Sequence, residues 1–135
     1  MNYYALLKNG LDNKHLPYRE IKDGVLEIFQ SGKNAQAIRL VVGFDDVNRD
    51  IAWIKCYSLG HFDDNTYANA LITCNNANKH YRWVKFYLDP DNDAVACADA
   101  IVSENSVFDE ILELIVRMIN IVDEIYPEFM KARWS

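Results

Sequence analysis

The feature that most constrains the fold is a segment near the C-terminus in which apolar residues recur at helical spacing. From Phe108 to Ile125 they fall three and four positions apart, which is the period of one face of an α-helix. Seven-residue steps through Val107, Leu114 and Ile121 widen this face. A face this broad exceeds what one side of a thin sheet requires. We therefore expect a helix that is either deeply buried or partly covered by a partner.

The two ends of this helix carry their own signals. Ser106 can accept a hydrogen bond from the backbone amide of Asp109, in a pattern that resembles a capping box. Pro127 lacks a backbone N–H, so it predicts the end of the helix and the start of a new short turn. The most apolar stretch, from Ile111 to Ile125, is interrupted by charged residues and is too short to span a bilayer.

The rest of the chain alternates between helical and two-residue periods. Turn-forming residues such as Asp23 and Gly24 separate the segments. The predicted elements are a helix over Asn2–Lys14, a short extended piece over Tyr18–Ile21, strands over Val25–Gln30, Ala37–Phe44 and Ile51–Leu59, a helix from Asp64 or Asn65 to Lys79, and a hairpin of Tyr81–Leu88 and Ala94–Ile101. This order predicts a single α+β domain over residues 1–135, with an antiparallel sheet of about five strands and three helices in the order α-β-β-β-α-β-β-α.

Charge argues against a polyanionic partner. The chain of 135 residues has 20 acidic and 14 basic residues, a formal charge of -6. Its densest basic group is only Lys79, His80, Arg82 and Lys85, so we expect no nucleic-acid binding. Three widely spaced cysteines, Cys56, Cys74 and Cys97, lie among apolar or small residues and are typical of buried free thiols. Because no signal peptide or membrane span is evident, we expect a cytoplasmic protein without a membrane partner.

The sequence contains no recognisable catalytic or metal-binding motif. The acidic run from Asp89 to Asp93 offers carboxylates to a hard cation. However, an EF-hand loop that begins there would have alanine in place of its glycine and of its last glutamate. His61, Asp63 and Asp64 are close in sequence, but no pair of histidines has metal-ligand spacing. There is no nucleophile elbow and no glycine-rich phosphate loop. We expect no catalytic residue, no metal and no cofactor.

The aromatic residues of two strands form the one unusual pattern. Trp53 and Tyr57 share a strand face with Lys55, and Tyr81, Trp83 and Tyr87 share another with Lys85. Aromatic and basic side chains on an open sheet are typical of binding surfaces. Equally, these rings could cover the sheet beneath a helix while the lysine stems extend to water. The candidate protein-contact residues are therefore Trp53, Tyr57, Tyr81, Trp83, Tyr87, Leu114 and Ile121.

The second half of the chain resembles a known family. The segments NNANKHYRWVKFYLDPDNDAVACADAIV and FDEILELIVRMINIVDEIYPEFMKARW resemble the YbjN-like bacterial proteins, often labelled sensory transduction regulators. The helix end at Asn78, the strand RWVKFYLD, the acidic turn and the ending IVDEIYPEFMKARW carry the resemblance. The first half agrees in outline, through Leu7 and the turn at Asp23-Gly24. The resemblance implies a fold similar to the type III secretion chaperones, a role in protein contact or regulation, and no catalytic residues.

Two hypotheses from different classes remain open at this point, beside a third in which the chain is a purely structural subunit of a larger assembly. The first is a non-catalytic protein-binding, chaperone-like or regulatory module, whose partner includes a second copy of the chain. The second is a small-molecule sensor or enzyme with a pocket between the sheet and the C-terminal helix, since apolar walls with a few polar groups would suit a ligand.

Overall fold

The computed structural model describes residues 2–134 and has an α+β architecture, as expected. The elements are α1 (Tyr3–Asn13), β1 (Arg19–Lys22), β2 (Val25–Gln30), β3 (Ile38–Phe44), β4 (Ile51–Cys56), α2 (Tyr67–His80), β5 (Lys85–Leu88), β6 (Ala94–Ile101) and α3 (Val107–Trp134). All neighbouring strands are antiparallel, in the order β1-β2-β3-β4-β6-β5. Six strands are present instead of about five, because the short piece after Pro17 pairs with β2.

The helices pack on one face of the sheet. α3 contacts β3, β4 and β6, while α1 and α2 pack against α3. Several strand residues beneath α3 are small: Ala52 on β4 and Ala96, Ala98 and Ala100 on β6 are buried in the core, beside larger residues such as Leu40 and Ile54. Small side chains let the helix approach the sheet closely, and the larger Ile111, Met118 and Phe129 of α3 are fully buried in the same core.

The width of the α3 stripe is explained within the chain. Leu114 is only 9% exposed, and Ile121 is half-buried and packs against the same core. α1 lies on one flank of α3 and α2 on the other. The broad apolar face of α3 is therefore in contact with two helices as well as with the sheet. The alternative in which a partner covers part of this stripe is therefore not needed for Leu114.

The helix starts differ slightly from expectation. Asn2 caps α1 by accepting from the amide of Ala5 at 3.0 Å. α2 begins at Tyr67, later than the predicted cap at Asp64 or Asn65, because Asp63 accepts from the amides of Asn65 and Thr66 and holds that stretch as a turn. Before α3, the Ser106 hydroxyl accepts from the amide of Ser103 and not from Asp109, so the predicted capping box is wrong in its partner.

The prediction that Pro127 ends the last helix is wrong. α3 runs through it to Trp134. A proline leaves the carbonyl four residues earlier without its helical donor, and here that carbonyl, on Asp123, accepts from Asn34 Nδ2 at 3.0 Å. Beyond the proline, Phe129 is fully buried between Phe62 and Phe86. A distant side chain and core packing together make the extra turns of helix stable.

The predicted strand Tyr81–Leu88 is correct only in its second half. β5 begins at Lys85, because Tyr81 caps α2 and Trp83 has a left-handed backbone with φ 73°. The side chain of Asn78 pairs with the outer edge of β5: it accepts from the amide of Phe86 at 2.7 Å and donates to the carbonyl of Phe86 at 3.0 Å. Such pairing closes an edge that would otherwise be open to another strand.

Candidate functional site

The second face of the sheet, which we call the open face, has no helix over it within residues 2–134. Strand register identifies its side chains, because directly paired residues point to the same side. One row crosses all six strands, and it consists of Arg19, Glu27, Val41, Lys55, Cys97 and Lys85. Charged and apolar residues alternate along this row from Val41 to Lys85, whereas Arg19 and Glu27 are charged neighbours.

A second row, two residues along the strands, places a tryptophan at the centre of the open face. Gly43 pairs with Trp53, and Trp53 pairs with Asp99. The indole lies against the glycine: a Cβ added at Gly43 would come within 2.3 Å of the ring. Lys55 Nζ lies 5.3 Å from the indole centroid, at the range of a cation–π contact. The absence of a side chain at Gly43 thus sets the orientation of Trp53.

The tyrosines and Trp83 extend this aromatic surface. Tyr57 is 43% exposed, and Trp83 is 64% exposed. Trp83, Lys85, Cys97 and Asp99 line a shallow depression of about 260 Å³. Partial burial raises the pKa of the Tyr87 hydroxyl, and the nearby side chains of Cys97, Tyr57, Asp89 and Asp99 raise it further. The four aromatic residues thus lie on one side of the sheet, close to the two lysines.

A buried carboxylate anchors the other end of the open face. The side chain of Glu27 is fully buried and is ion-paired with both Arg19 and Arg39. Burial pushes the pKa of Glu27 upward, but the two guanidinium groups outweigh burial and hold the pKa below its ordinary value. Sequence reasoning missed this cluster. Its only local signal was a glutamate at a strand position between apolar neighbours.

Cys97 lies in the middle of the charged row but is not set up as a nucleophile. It is 4% exposed. Burial raises the pKa of its thiol, and Asp99 adds to this, against a smaller opposing effect of Lys85 and Lys55. Burial also raises the pKa of Cys74, to about 11. All three cysteines are free and buried, as expected, and neutral thiols of this kind act as small apolar residues.

The structure brings together four of the seven candidate contact residues and separates the other three. Trp53, Tyr57, Trp83 and Tyr87 share the open face. Tyr81 instead lies on the helical side, where its hydroxyl donates to Glu124 at 2.7 Å. Leu114 and Ile121 belong to the core side of α3. The strand alternation assumed for Tyr81 fails because β5 starts four residues later.

A separate apolar cleft, which we call the groove, opens on the helical side. It has a volume of about 870 Å³ and lies between the end of α1, the end of β2, the β2–β3 turn and α3. Its partly exposed apolar walls are Leu16, Pro17, Ile28, Leu112, Val116 and Ile119. Pro17 cannot donate to a neighbouring strand, and β1 pairs with β2 only as far as Glu27, so the β1 side of Ile28–Gln30 lies beyond the paired region.

Asp123 joins the two walls of the groove at one end. Its carboxylate accepts from the backbone amides of Lys33, Asn34 and Ala35 at 2.8–3.1 Å. These hydrogen bonds, chiefly those from Ala35 and Asn34, lower the pKa of the carboxyl group. A Cβ on Gly32 would come within 2.1 Å of Asp123 Oδ1. The glycine therefore lets the β2–β3 turn close onto α3.

Metal and membrane signals are absent from residues 2–134. No three histidine, cysteine, aspartate or glutamate side chains cluster as metal ligands there. His61 Nδ1 instead lies 2.8 Å from Asp93 Oδ1, and the acidic run folds as a turn in which Asp89 accepts from the amides of Asp91 and Asp93.

Within the same residues, none of the helices has the length and apolarity that crossing a bilayer requires.

Comparison with known proteins agrees with this architecture. The chain superposes on the crystal structure of YbjN from E. coli, described in its title as "a putative transcription regulator", with a TM-score of 0.68 and 12% identity over 90% of this chain and 87% of that one. At this identity the match establishes the fold. No curated protein matches the chain. The sequence model of the YbjN family, described as "Putative bacterial sensory transduction regulator", matches residues 11–131. The chain belongs to the YbjN family.

Proposed function

We propose that this protein is a non-catalytic regulatory module that binds a protein partner through its open face. The observation that carries the proposal is the cluster of Trp53, Tyr57, Trp83 and Tyr87 beside two lysines, on a sheet face that no helix of residues 2–134 covers. Large aromatic side chains supply much contact area with few rotatable bonds, so they are frequent at the centres of protein interfaces. The regulatory role follows the description of the family.

The edge of the open face also favours a partner. Ile101, at the end of β6, is 81% exposed and lies on the same side as Asp99. An isolated exposed isoleucine needs no explanation, but one that extends an aromatic cluster enlarges an apolar patch. We propose a protein as the occupant, which includes a second copy of this chain, and neither nucleic acid nor membrane. A chaperone-like role and a cytoplasmic location stay predictions.

Photo-crosslinking in the host cell tests this proposal. A photoreactive residue at Ile101 reports on the open face. The same residue at Ile72, which is exposed on α2 at the helical side, is the matched control. We expect a discrete protein adduct, of fixed mass, from position 101 and not from position 72. Adducts from both positions, or from position 72 alone, would show that the open face is not the contact surface.

The groove favours a second candidate function, a sensor of small molecules. A volume of about 870 Å³ is within the range of ligand pockets. Its walls are apolar, and Gln30, Lys33 and Asn120 at its rim provide polar groups. The groove lies between β2 and α3, which supports the proposal of a pocket between the sheet and the C-terminal helix.

An apolar fluorescent probe distinguishes this candidate from the first. Anilinonaphthalene sulfonate should gain fluorescence with the folded protein. Val116→Trp, which fills the groove from the exposed side of α3, should abolish the gain, while Trp53→Ala should leave it unchanged. The reverse result would place the accessible apolar site on the open face instead.

A further inference from the structure

We infer that the segment of the partner that contacts the open face is acidic, with carboxylates spaced between apolar side chains. This inference rests on the proposed function of the same face. It follows from the net positive charge of the side chains that strand register places on this face, whereas the whole chain has a net negative charge.

The open face is basic on an acidic protein. Its strand residues include four cations, Arg19, Arg39, Lys55 and Lys85, but only two acids, Glu27 and Asp99. The whole chain has a formal charge of -6. Charge is therefore segregated between this face and the rest of the surface, and a surface of one sign steers partners of the other sign toward it.

Cations outnumber acids at both ends of the face: two arginines stand with Glu27 at one end, and two lysines stand with Asp99 at the aromatic end. Glu27 lies between Arg19 and Arg39 and offsets part of their charge. Lys55 and Lys85 instead flank Cys97, one on each neighbouring strand. Since only β6 separates their strands, the two backbones are about 10 Å apart. Both lysine side chains are long enough for their ammonium groups to reach one carboxylate placed above Cys97.

Apolar contacts surround this position. The Trp53 ring lies beside Lys55, and Tyr87 follows Lys85 by two residues on the same strand face. An acidic side chain above Cys97 would thus have apolar side chains of the same partner segment on either side, over Trp53 and Tyr87. Lysines beside aromatic rings give specificity through charge and contact area through the rings.

A single-stranded nucleic acid is the competing occupant, because bases stack on exposed aromatic rings. Continuous phosphate recognition requires a basic stripe along the whole path of the strand. Here Asp99 pairs directly with Trp53, and the surrounding protein is acidic. The charges therefore favour an acidic protein segment.

Charge reversal within the crosslinking experiment tests this inference. The photoreactive residue stays at Ile101, and Lys55→Glu/Lys85→Glu is compared with Lys79→Glu, which alters an exposed lysine on α2. We expect the adduct yield to fall about tenfold or more with the double reversal, since like charges then face each other. Lys79→Glu should leave the yield within about twofold. Mass spectrometry of the adduct should identify a crosslinked segment with net negative charge.

The outcomes separate the inference from the proposed function. An adduct that survives the double reversal, or a crosslinked segment that is neutral or basic, overturns the inference and leaves the open face as a protein-binding surface. A crosslinked oligonucleotide overturns both, as does a wild-type chain that forms no adduct. Should Lys55→Glu/Lys85→Glu fail to fold by circular dichroism, Lys55→Gln/Lys85→Gln removes the charges instead, and a smaller loss of yield is expected, still greater than that of Lys79→Glu.

Discussion

The two faces of the sheet are made by alternate residues of the same strands, yet they are covered in different ways. On the helical side, β4 and β6 carry alanines, and α3 covers them. On the open face the same strands carry Trp53, Lys55 and Asp99. Here the large side chains of the sheet cover its small ones, since Val95 and Cys97 are buried without a helix above them.

The helical side of the sheet should therefore determine stability, and the open face should determine binding. Removal of a large side chain from the helical side leaves a cavity that the surroundings cannot fill. Removal from the open face exposes its neighbours to water, which costs less free energy but changes the surface that a partner would meet. Residues on the two faces should therefore respond in opposite ways to tests of folding and of binding.

The largest difference should come from truncating one aromatic residue on each face. Phe129→Ala empties a fully buried site beyond Pro127 and should lower the free energy of unfolding by about 3–5 kcal/mol. Trp53→Ala should lower it by about 1 kcal/mol. Urea denaturation measures both, and Trp134→Ala, at an exposed position on the same helix, is the control. Similar losses for Phe129→Ala and Trp134→Ala would contradict a helix packed to its last turn.

An acid-dependent loss should identify the one buried carboxylate of the open face. The pKa of Glu27 is lower in the folded protein than its ordinary value of about 4.3. Its stabilising contribution is therefore present above that value and is lost as the pH falls through the folded pKa. Between pH 6 and pH 3, the urea midpoint of the wild type should fall more than that of Glu27→Gln. Parallel curves would mean that the two arginines do not stabilise the ionised form.

The hydrogen bond beside Pro127 should show coupling between distant residues. Asn34→Ala leaves the Asp123 carbonyl without its donor and should cost about 1 kcal/mol. In a Pro127→Ala background residue 127 regains its N–H, so the same change should cost clearly less. A double-mutant cycle by urea denaturation measures this coupling. Equal costs in both backgrounds would show that Asn34 does not replace the missing helical donor.

A subtler change should alter the open face without unfolding the protein. Gly43→Ala places a methyl group where the Trp53 ring lies, so the indole should move outward. Because the tip of a side chain can move away, we expect a loss of about 1 kcal/mol or less. The indole N–H resonance of Trp53 should shift, with those of Trp83 and Trp134 unchanged. An unshifted Trp53 resonance would show that its ring does not rest on the glycine.

The smallest effect on stability is expected at the most exposed ring of the cluster. Trp83→Ala should change the free energy of unfolding by no more than about 0.5 kcal/mol, as is usual at the surface, and yet reduce the adduct yield from position 101. A large loss of stability would place Trp83 in the core and remove it from the contact surface.

Local patterns in the sequence were sufficient for the order of elements and for the side of most residues in the predicted strands, with Tyr81 as an exception. Alternation assigns Leu40 and Val42 to the core and Trp53 and Lys55 to the other face, because side-chain direction depends only on position along a strand. The prediction at Pro127 was wrong because the donor that replaces its missing N–H is Asn34, which lies 89 positions before the accepting residue, Asp123, in the chain. Glu27 was missed for the same reason, since its burial depends on register with Arg19 and on Arg39 of the next strand.

Footprinting inside cells measures most directly whether the open face is covered. Hydroxyl radicals label exposed aromatic side chains, and the chain provides internal references on its helical side and at the end of α3, Tyr67 and Trp134. In cells, compared with the purified protein, we expect labelling of Trp83 and Tyr57 to fall several-fold while labelling of the references stays unchanged. Equal labelling of all four in both settings, or protection of the references alone, would contradict a partner on the open face.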